Sequence, residues 1–217
     1  SGTLPGSLTI GASQRGKLTV ESGGVVSNTD GYIGDQLGST GEATITGTDS
    51  QWNIADDLNV GRYGNGTLNV ESGGVVSNTI GFIGYKLGST GLATVTGASS
   101  QWNNSSDLLV GLSGSGTLNV EAGGLVSNTN GYIGIESGSI GTTTVTGTDS
   151  RWTNSQNLYV GRYGDSTLNV ESGGVVSNTI GVIGYLGGST GEATITGTGS
   201  QWNNLNKLYV GYEGTGT

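Results

Sequence analysis

The sequence repeats every 50 residues without an insertion or a deletion, and this periodicity constrains the fold more than any other feature. Residues 61–110 read GRYGNGTLNVESGGVVSNTIGFIGYKLGSTGLATVTGASSQWNNSSDLLV, and most of the remaining chain is a close copy of this stretch. The tryptophans mark the period, because they stand at Trp52, Trp102, Trp152 and Trp202. A fixed period of this size is typical of repeat architectures, in which each unit packs only on its neighbours.

Each repeat contains two similar halves. Leu68 and Val70 alternate with polar residues, which is the period of a strand with one buried face. Ala93 and Val95 alternate with polar residues in the same way. Placing Leu68 over Ala93 and Val70 over Val95 superposes the halves at an offset of 25 residues, so that each repeat is interpreted as two coils.

A coil of this length cannot bury its own apolar face, but stacked coils can pair their strands in parallel at ~4.8 Å and close a common core. Parallel crossover connections are nearly always right-handed. We therefore predict an all-β fold, a right-handed parallel β-helix (β-solenoid) with two coils per 50-residue repeat and about nine coils. The pattern is interrupted at both ends of the chain, which predicts that residues 1–217 are a single β-solenoid array, an excerpt of a longer repeat region.

Composition excludes several classes of function. The 217 residues include no histidine and no cysteine, which excludes a Ser-His-Asp triad, a thiol nucleophile and a soft metal site. A net charge of -9 with only 7 basic residues argues against a nucleic-acid partner. No apolar stretch approaches the roughly 20 residues needed to span a membrane as a helix. We expect no enzymatic activity, no cofactor, no metal site and no membrane span in this segment.

Carboxylates are the one remaining route to catalysis, as in the hydrolases and lyases that act on polysaccharides. Five of them stand close together in the first repeat: Asp30, Asp35, Asp49, Asp56 and Asp57. The residues that replace the first three in the next repeat carry no charge. The sequence places no arginine or lysine beside them, so we interpret them as solvated loop charges.

Glycine, asparagine and tryptophan fit the interior and corners of such a helix. Glycines end the Ile-Gly and Val-Gly segments, where a positive φ or a close backbone approach is expected. The 25-residue offset predicts one ladder of polar side chains at Asn28, Asn53, Asn78, Asn103, Asn128, Thr153, Asn178 and Asn203. We interpret the tryptophans as packing residues and not as a sugar-binding platform.

The segment SQWNNSSDLLVGLSGSGTLNVEAGGLVS, residues 100–127, closely resembles the passenger-domain β-helix repeats of bacterial type V secretion autotransporters, which are often adhesins. In that family a T-V-T-G-x-x-S-x-W-x-N segment leads into L-x-V-G-x-x-G-x-G-T-L-x-V-x-x-G-G, a pattern that stands here at residues 94–124 and 144–174, with Ser166 in place of one glycine. The resemblance implies a secreted protein on the bacterial cell surface, with an outer-membrane barrel beyond this segment and an adhesive or aggregating role.

One outward position is rich in large side chains when the coils are superposed on their Ile-Gly and Val-Gly ends. It is occupied in turn by Thr9, Tyr32, Asn59, Phe82, Leu109, Tyr132, Tyr159, Val182 and Tyr209. We predict that its aromatic and aliphatic members form a contact stripe, namely Tyr32, Phe82, Leu109, Tyr132, Tyr159, Val182 and Tyr209. The adjoining loops vary most between copies, and we add their tyrosines as candidate contact residues: Tyr63, Tyr85, Tyr163 and Tyr185. The alternative is that such residues only favour strand formation.

The sequence thus predicts a rigid extracellular stalk that mediates cell adhesion or self-association. Its expected partners are a cell-surface or glycan ligand, or a second copy of the chain bound end to end or side by side. Two alternatives stay open, a carbohydrate-active β-helix enzyme and a glycan-binding protein similar to phage tailspikes.

Overall fold

The apolar residues that alternate along the sequence turn their side chains to one interior, and strands of two to ten residues form around it. The computed structural model describes residues 6–217, and all regular structure in that range is β-strand. The strands form three parallel faces that follow one another around each coil. The predicted all-β, right-handed parallel β-helix is confirmed. It makes about eight turns, which are the steps between the nine strands of its first face.

The first face contains one strand from every coil, and its strands pair in strict succession. Its members are β2 (Arg15–Val20), β5 (Thr40–Thr46), β8 (Asn65–Glu71), β11 (Thr90–Thr96), β14 (Ser115–Glu121), β17 (Ile140–Thr146), β20 (Asp165–Glu171), β22 (Thr190–Thr196) and β24 (Thr215–Gly216).

The second and third faces are joined into one sheet near the C-terminal end, where two long strands run through both of them. The second face contains β3 (Val25–Asn28), β6 (Gln51–Ile54), β9 (Val75–Asn78), β12 (Gln101–Asn104), β15 (Leu125–Asn128) and β18 (Arg151–Asn154). The third face contains β1 (Leu8–Ile10), β4 (Gly31–Ile33), β7 (Leu58–Val60), β10 (Gly81–Ile83), β13 (Leu108–Val110), β16 (Gly131–Ile133) and β19 (Asn157–Val160). The strands shared by both faces are β21 (Val175–Ile183) and β23 (Gln201–Val210).

The offset between paired residues differs from face to face. On the first face Leu68 pairs with Ala93, so that the predicted offset of 25 is confirmed there. On the third face Tyr32 pairs with Asn59 and Asn59 with Phe82, so the offset alternates between 27 and 23. The two coils of a repeat therefore differ in how they divide their residues among the corners, which is why the period of the chain is 50.

The core runs the length of the helix and is built from Leu, Ile and Val with one tryptophan every second coil. Trp52, Trp102 and Trp152 are fully buried on the second face, where each pairs with valines of the coils before and after it. The interpretation of the tryptophans as packing residues is confirmed for these three, and Trp202 is half-buried.

The predicted polar ladder exists, but the predicted register is wrong by one residue in alternate coils. The second face alternates offsets of 26 and 24, since Val26 pairs with Trp52 and Trp52 with Val76. The inward column is therefore Asn28, Ile54, Asn78, Asn104, Asn128, Asn154, Asn178 and Asn204. Asn53, Asn103 and Thr153 instead stand in the outward column, beside Ser27, Ser77 and Ser127.

Within residues 6–217, no helix is long and apolar enough to cross a membrane.

Candidate functional site

The third face ends in a glycine in every coil, and this glycine shapes the corner where the candidate contact residues lie. Gly84 follows Ile83 with a φ of 72°, a conformation that favours glycine. A Cβ at this position would collide with the backbone carbonyl of Ser115 in the next coil. The chain therefore turns sharply after each short strand and sends a loop outward before it enters the first face.

Backbone pairing on the third face stacks the predicted stripe into one column. Phe82 pairs with Leu109, Leu109 with Tyr132, and Tyr132 with Tyr159. The column that the sequence predicted is therefore present from Thr9 to Tyr209. Together with the loops that follow the third face in each coil, we call this column the tyrosine corner.

Side chains of the stripe are less exposed than an outward position implies. The large members are half-buried, because the coils are only one strand spacing apart and neighbouring rings cover one another. Val182 is only 4% exposed, since its short side chain lies between the larger Tyr159 and Tyr209. The stripe is thus a packed layer with exposed edges, and Val182 offers almost no surface to a partner.

The rings in the C-terminal half of the tyrosine corner form a continuous chain of contacts. Tyr132 and Tyr159 are stacked with centroids 5.1 Å apart and planes 3° from parallel. Tyr185 lies 5.1 Å from Tyr159 and 5.5 Å from Tyr212, which in turn lies 5.3 Å from Tyr209. The loop tyrosines Tyr185 and Tyr212 and the stripe tyrosines therefore form one aromatic surface.

The predicted loop residues divide into two groups. Tyr85 and Tyr185 are half-buried against stripe rings, and Tyr85 meets Phe82 edge to face at 5.0 Å. Tyr63 and Tyr163 are exposed. The most exposed apolar side chains of the corner are two leucines that the prediction left out of the site, Leu37 at 85% and Leu87 at 84%.

Cationic side chains cover several of these rings. Arg62 lies 4.3 Å from the ring centroid of Tyr32, and Arg162 lies 5.8 Å from that of Tyr132. Lys86 lies 4.6 Å from the ring centroid of Tyr85. Such contacts hold a ring in place and leave a charged group at its exposed face.

The expectation that no basic residue stands beside the acids of the first repeat is wrong. Arg62 donates a hydrogen bond of 2.8 Å to the Asp35 carboxylate, which reaches it across one coil. Burial would lower the pKa of Arg62, but the hydrogen bond and charge of Asp35 outweigh this and raise it. The pair is not evident from the sequence, because its two residues are 27 positions apart and meet only when the coils stack.

The same arginine lines a notch that the sequence analysis did not identify. The notch has a volume of about 130 Å³ and is lined by Asp30, Tyr32, Asp57, Asn59, Arg62, Phe82 and Tyr85. It exists because Asn59 occupies a position where the following repeats have larger residues, Leu109, Tyr159 and Tyr209. The one signal in the sequence was this small polar residue in a column of large side chains.

Two groups in the notch are poorly compensated. Asn59 is only 5% exposed, and its Oδ1 accepts no hydrogen bond from any residue in the range 6–217. Burial raises the pKa of Asp57, and the nearby charges of Asp30 and Asp56 raise it further, against a backbone hydrogen bond from Ile80 that lowers it. Asn59 Oδ1 therefore lacks a donor among residues 6–217, and the charge of Asp57 is opposed by burial.

Burial also raises the pKa of Tyr132, with added effects from Asp107 and Tyr159, while Arg162 lowers it. The hydroxyl of Tyr132 is therefore a neutral donor at physiological pH.

A second, more open groove of about 470 Å³ lies at the corner between the second and third faces. Its lining is mostly small and polar and comprises Ile54, Ala55, Ser77, Asn78, Thr79, Asn103, Asn104, Ser105 and Ser127. Many of these groups already bond to one another; Ser77 and Ser127, for instance, donate to the Oδ1 atoms of Asn53 and Asn103 at 3.0 and 2.9 Å. The groove therefore offers few free hydrogen-bonding groups.

Comparison with known proteins adds little to this geometry. No family model matches the chain, and no curated protein matches it. Among solved structures, the chain is similar to the crystal structure of a TibC-catalyzed hyper-glycosylated fragment of TibA, over 96% of this chain and 93% of that one. The identity is 18% and the TM-score 0.32, a level of similarity that carries no argument about function.

Proposed function

We propose that this chain is a rigid stalk segment of a secreted bacterial surface protein, and that its tyrosine corner mediates cell adhesion or self-association. The cell-surface location rests on the resemblance of the repeats to autotransporter passenger domains. The proposal includes action by contact and not by catalysis, which the absence of histidine and cysteine supports.

The observation that carries the proposal is the aromatic surface of the tyrosine corner. Five rings, those of Tyr132, Tyr159, Tyr185, Tyr209 and Tyr212, are in mutual contact along one edge of the helix. Tyrosine combines apolar contact area with a polar hydroxyl and few rotatable bonds, and it is enriched at protein interfaces. Contiguous apolar surface with a polar rim is typical of sites of association.

Exposed residues of the adjoining loops extend this surface. Leu37 and Leu87 hold their side chains almost entirely in solvent, and Tyr63 and Tyr163 are exposed on the intervening coils. An unpartnered leucine at that exposure contributes nothing to the fold, and burying it against a partner contributes roughly 1.5–3 kcal/mol. The loops therefore supply binding energy without a cost in stability.

The backbone supports the role of a stalk. The first face pairs strand to strand from β2 to β24, and the core beneath it is continuous. A helix held by parallel pairing along its whole length does not bend at a hinge, so that a contact at one point keeps its orientation to the rest of the rod.

The proposal is tested by replacing the exposed loop residues together, as Leu37→Ser, Tyr63→Ser, Leu87→Ser and Tyr163→Ser. We expect loss of concentration-dependent association in light scattering, and loss of adhesion or aggregation by cells that display the segment. The matched control is Leu205→Ser, because Leu205 is also 85% exposed but lies at the corner between the second and third faces.

A second set, Tyr132→Ser, Tyr159→Ser and Tyr209→Ser, removes the ring surface itself. Circular dichroism has to show unchanged β-structure for the result to count. If adhesion and association persist in both sets, or if Leu205→Ser abolishes them equally, the tyrosine corner is not the contact surface.

A further inference from the structure

The notch at Asn59 is a concave site in the tyrosine corner with a buried polar atom that has no partner among residues 6–217. Asn59 Oδ1 is buried without a donor, and Asp57 is partly desolvated without a cation beside it. A buried acceptor without a hydrogen bond destabilises the unliganded site, so a ligand that brings a donor recovers that free energy on binding.

The charge of the notch selects a cationic ligand. Asp30 and Asp57 line it, and Asp35 stands behind Arg62. These three carboxylates outnumber the two cations nearby, Arg62 and Lys86. The guanidinium of Arg62 is already committed to Asp35 and to the face of Tyr32, and Asn59 Oδ1 remains without a donor among residues 6–217. Asp30 accepts a hydrogen bond at Oδ2 from Ser7 Oγ, 3.1 Å away.

The walls of the notch select a slender ligand. Three of the seven lining residues are aromatic, Tyr32, Phe82 and Tyr85, and they enclose about 130 Å³. An unbranched alkyl chain packs against rings while its charged end reaches the polar floor.

One ammonium group of this chain already lies against an aromatic ring in the wall of the notch. The ammonium of Lys86 lies 4.6 Å from the ring centroid of Tyr85, at cation–π distance. The net charge of the chain, -9, adds a long-range attraction for basic partners.

We propose that the notch lined by Asp30, Asp57 and Asn59 binds the ammonium group of a lysine side chain on a partner protein. The ammonium donates to the two carboxylates, and to Asn59 Oδ1 once the amide turns toward the notch, while the methylenes of the lysine pack between Tyr32, Phe82 and Tyr85. This inference rests on the proposed contact function of the tyrosine corner and names the chemistry of its partner.

The test uses the 217-residue chain labelled with ¹⁵N and titrated with Nα-acetyl-lysine methylamide. We expect saturable chemical-shift changes confined to the notch residues. The same probe with its ammonium acetylated loses its charge and becomes longer by one acetyl group, and we expect it to bind at least tenfold more weakly.

Asn59→Leu fills the notch with the residue that the next repeat has at the equivalent position, Leu109, which pairs with Phe82 as Asn59 does. We expect it to lower affinity at least tenfold. The matched control is Asn119→Leu, an outward position at the centre of β14 on the first face, which is expected to leave binding unchanged. Unchanged circular dichroism shows that each variant is folded.

Absence of saturable shifts, equal binding of the acetylated probe, or full binding by Asn59→Leu would each overturn the inference. Equal or tighter binding of glucosamine would also overturn it, because the ligand would then be an amino sugar. The chemical-shift readout does not depend on adhesion. The four loop substitutions leave the notch residues in place, so that variant should still bind the lysine probe even if it no longer supports adhesion. The two proposals can therefore fail separately.

Discussion

Asparagine and tryptophan side chains tie successive coils together inside the helix. Trp152 Nε1 donates to Asn128 Oδ1 at 2.7 Å, and Asn128 Nδ2 donates to Asn154 Oδ1 at 2.6 Å. The same set recurs at Trp102, where Asn78 bonds to Asn104. In the first repeat Ile54 replaces the second asparagine, and the amide of Asn28 donates instead to the backbone carbonyl of Asp30 at 2.7 Å.

This ladder predicts a large effect of a single truncation. Asn128→Ala leaves the Trp152 Nε1–H and the Asn154 Oδ1 buried without partners, and each orphaned group costs about 1–3 kcal/mol. We expect a loss of about 3 kcal/mol in the free energy of unfolding, measured by urea denaturation. The control is Asn103→Ala, whose side chain stands in the outward column and bonds to Ser127, and which should cost under about 1 kcal/mol. Equal losses for the two variants would contradict the inward register.

A pH effect is expected at Asp57. Its pKa in the folded chain is raised above the ordinary value of an aspartate, chiefly by burial, so the charged form of Asp57 disfavours folding. Stability attributable to this group is present at low pH and falls as the pH rises from the unfolded pKa through the folded pKa. Asp57→Asn removes the charge and should raise the melting temperature at pH 7. The gain in the free energy of unfolding should be less than about 1 kcal/mol, because the carboxylate is still partly exposed to solvent.

At pH 3, where the carboxyl is protonated in both states, the parent and the Asp57→Asn variant should melt at the same temperature. A variant less stable than the parent at pH 7 would show that the charge of Asp57 stabilises the fold. The third repeat has Asn157 at this position, so an amide is compatible with the local backbone.

At the scale of the strand and its corner, the third face depends on close backbone approach between coils. Two glycines of one corner allow the cost of a positive φ to be measured apart from the cost of a collision with the next coil. Gly84 and Gly88 both have a positive φ, of 72° and 82°. A side chain at Gly84 would meet the backbone of Ser115, whereas nothing lies within 4 Å of a side chain at Gly88.

Gly88→Ala therefore measures the cost of the left-handed conformation alone, roughly 1–2 kcal/mol. Gly84→Ala adds a collision with backbone atoms that cannot move without separating two coils, and we expect it to cost at least ~2 kcal/mol more. Thermal unfolding of the two variants in parallel measures the difference. Similar costs would show that the spacing between coils is adjustable at this corner.

For the whole molecule, length is set by the number of coils and cross-section by the residues within one coil. Each 50-residue repeat contributes two strands to the first face, so inserting a second copy of residues 61–110 should lengthen the rod by ~10 Å at ~4.8 Å per strand. Small-angle X-ray scattering should show this increase in the maximum dimension with an unchanged cross-sectional radius of gyration. An increase in the cross-section instead would mean that the inserted repeat does not stack.

Much of the candidate site was predictable, and what was missed has a common cause. The column from Tyr32 to Tyr209 was predicted correctly because the Ile-Gly and Val-Gly ends mark the register of the third face. The asparagine ladder was placed wrongly because a single offset of 25 was applied to the second face, where corners of unequal length shift it by one. The contact role of the stripe and the cell-surface location of the segment stay predictions.

The sequence by itself determined the parallel β-helix, since a strict period of 50 residues with alternating apolar positions permits only coils that stack in register. Tertiary structure alone decided which side chains meet across coils and how much of each remains exposed. Arg62 reaches Asp35, Val182 is covered by its neighbours, and Asn59 leaves a notch between two rings. These contacts depend on the sizes of side chains that lie one strand spacing apart on neighbouring coils. The sequence of a single repeat does not show which of these side chains meet.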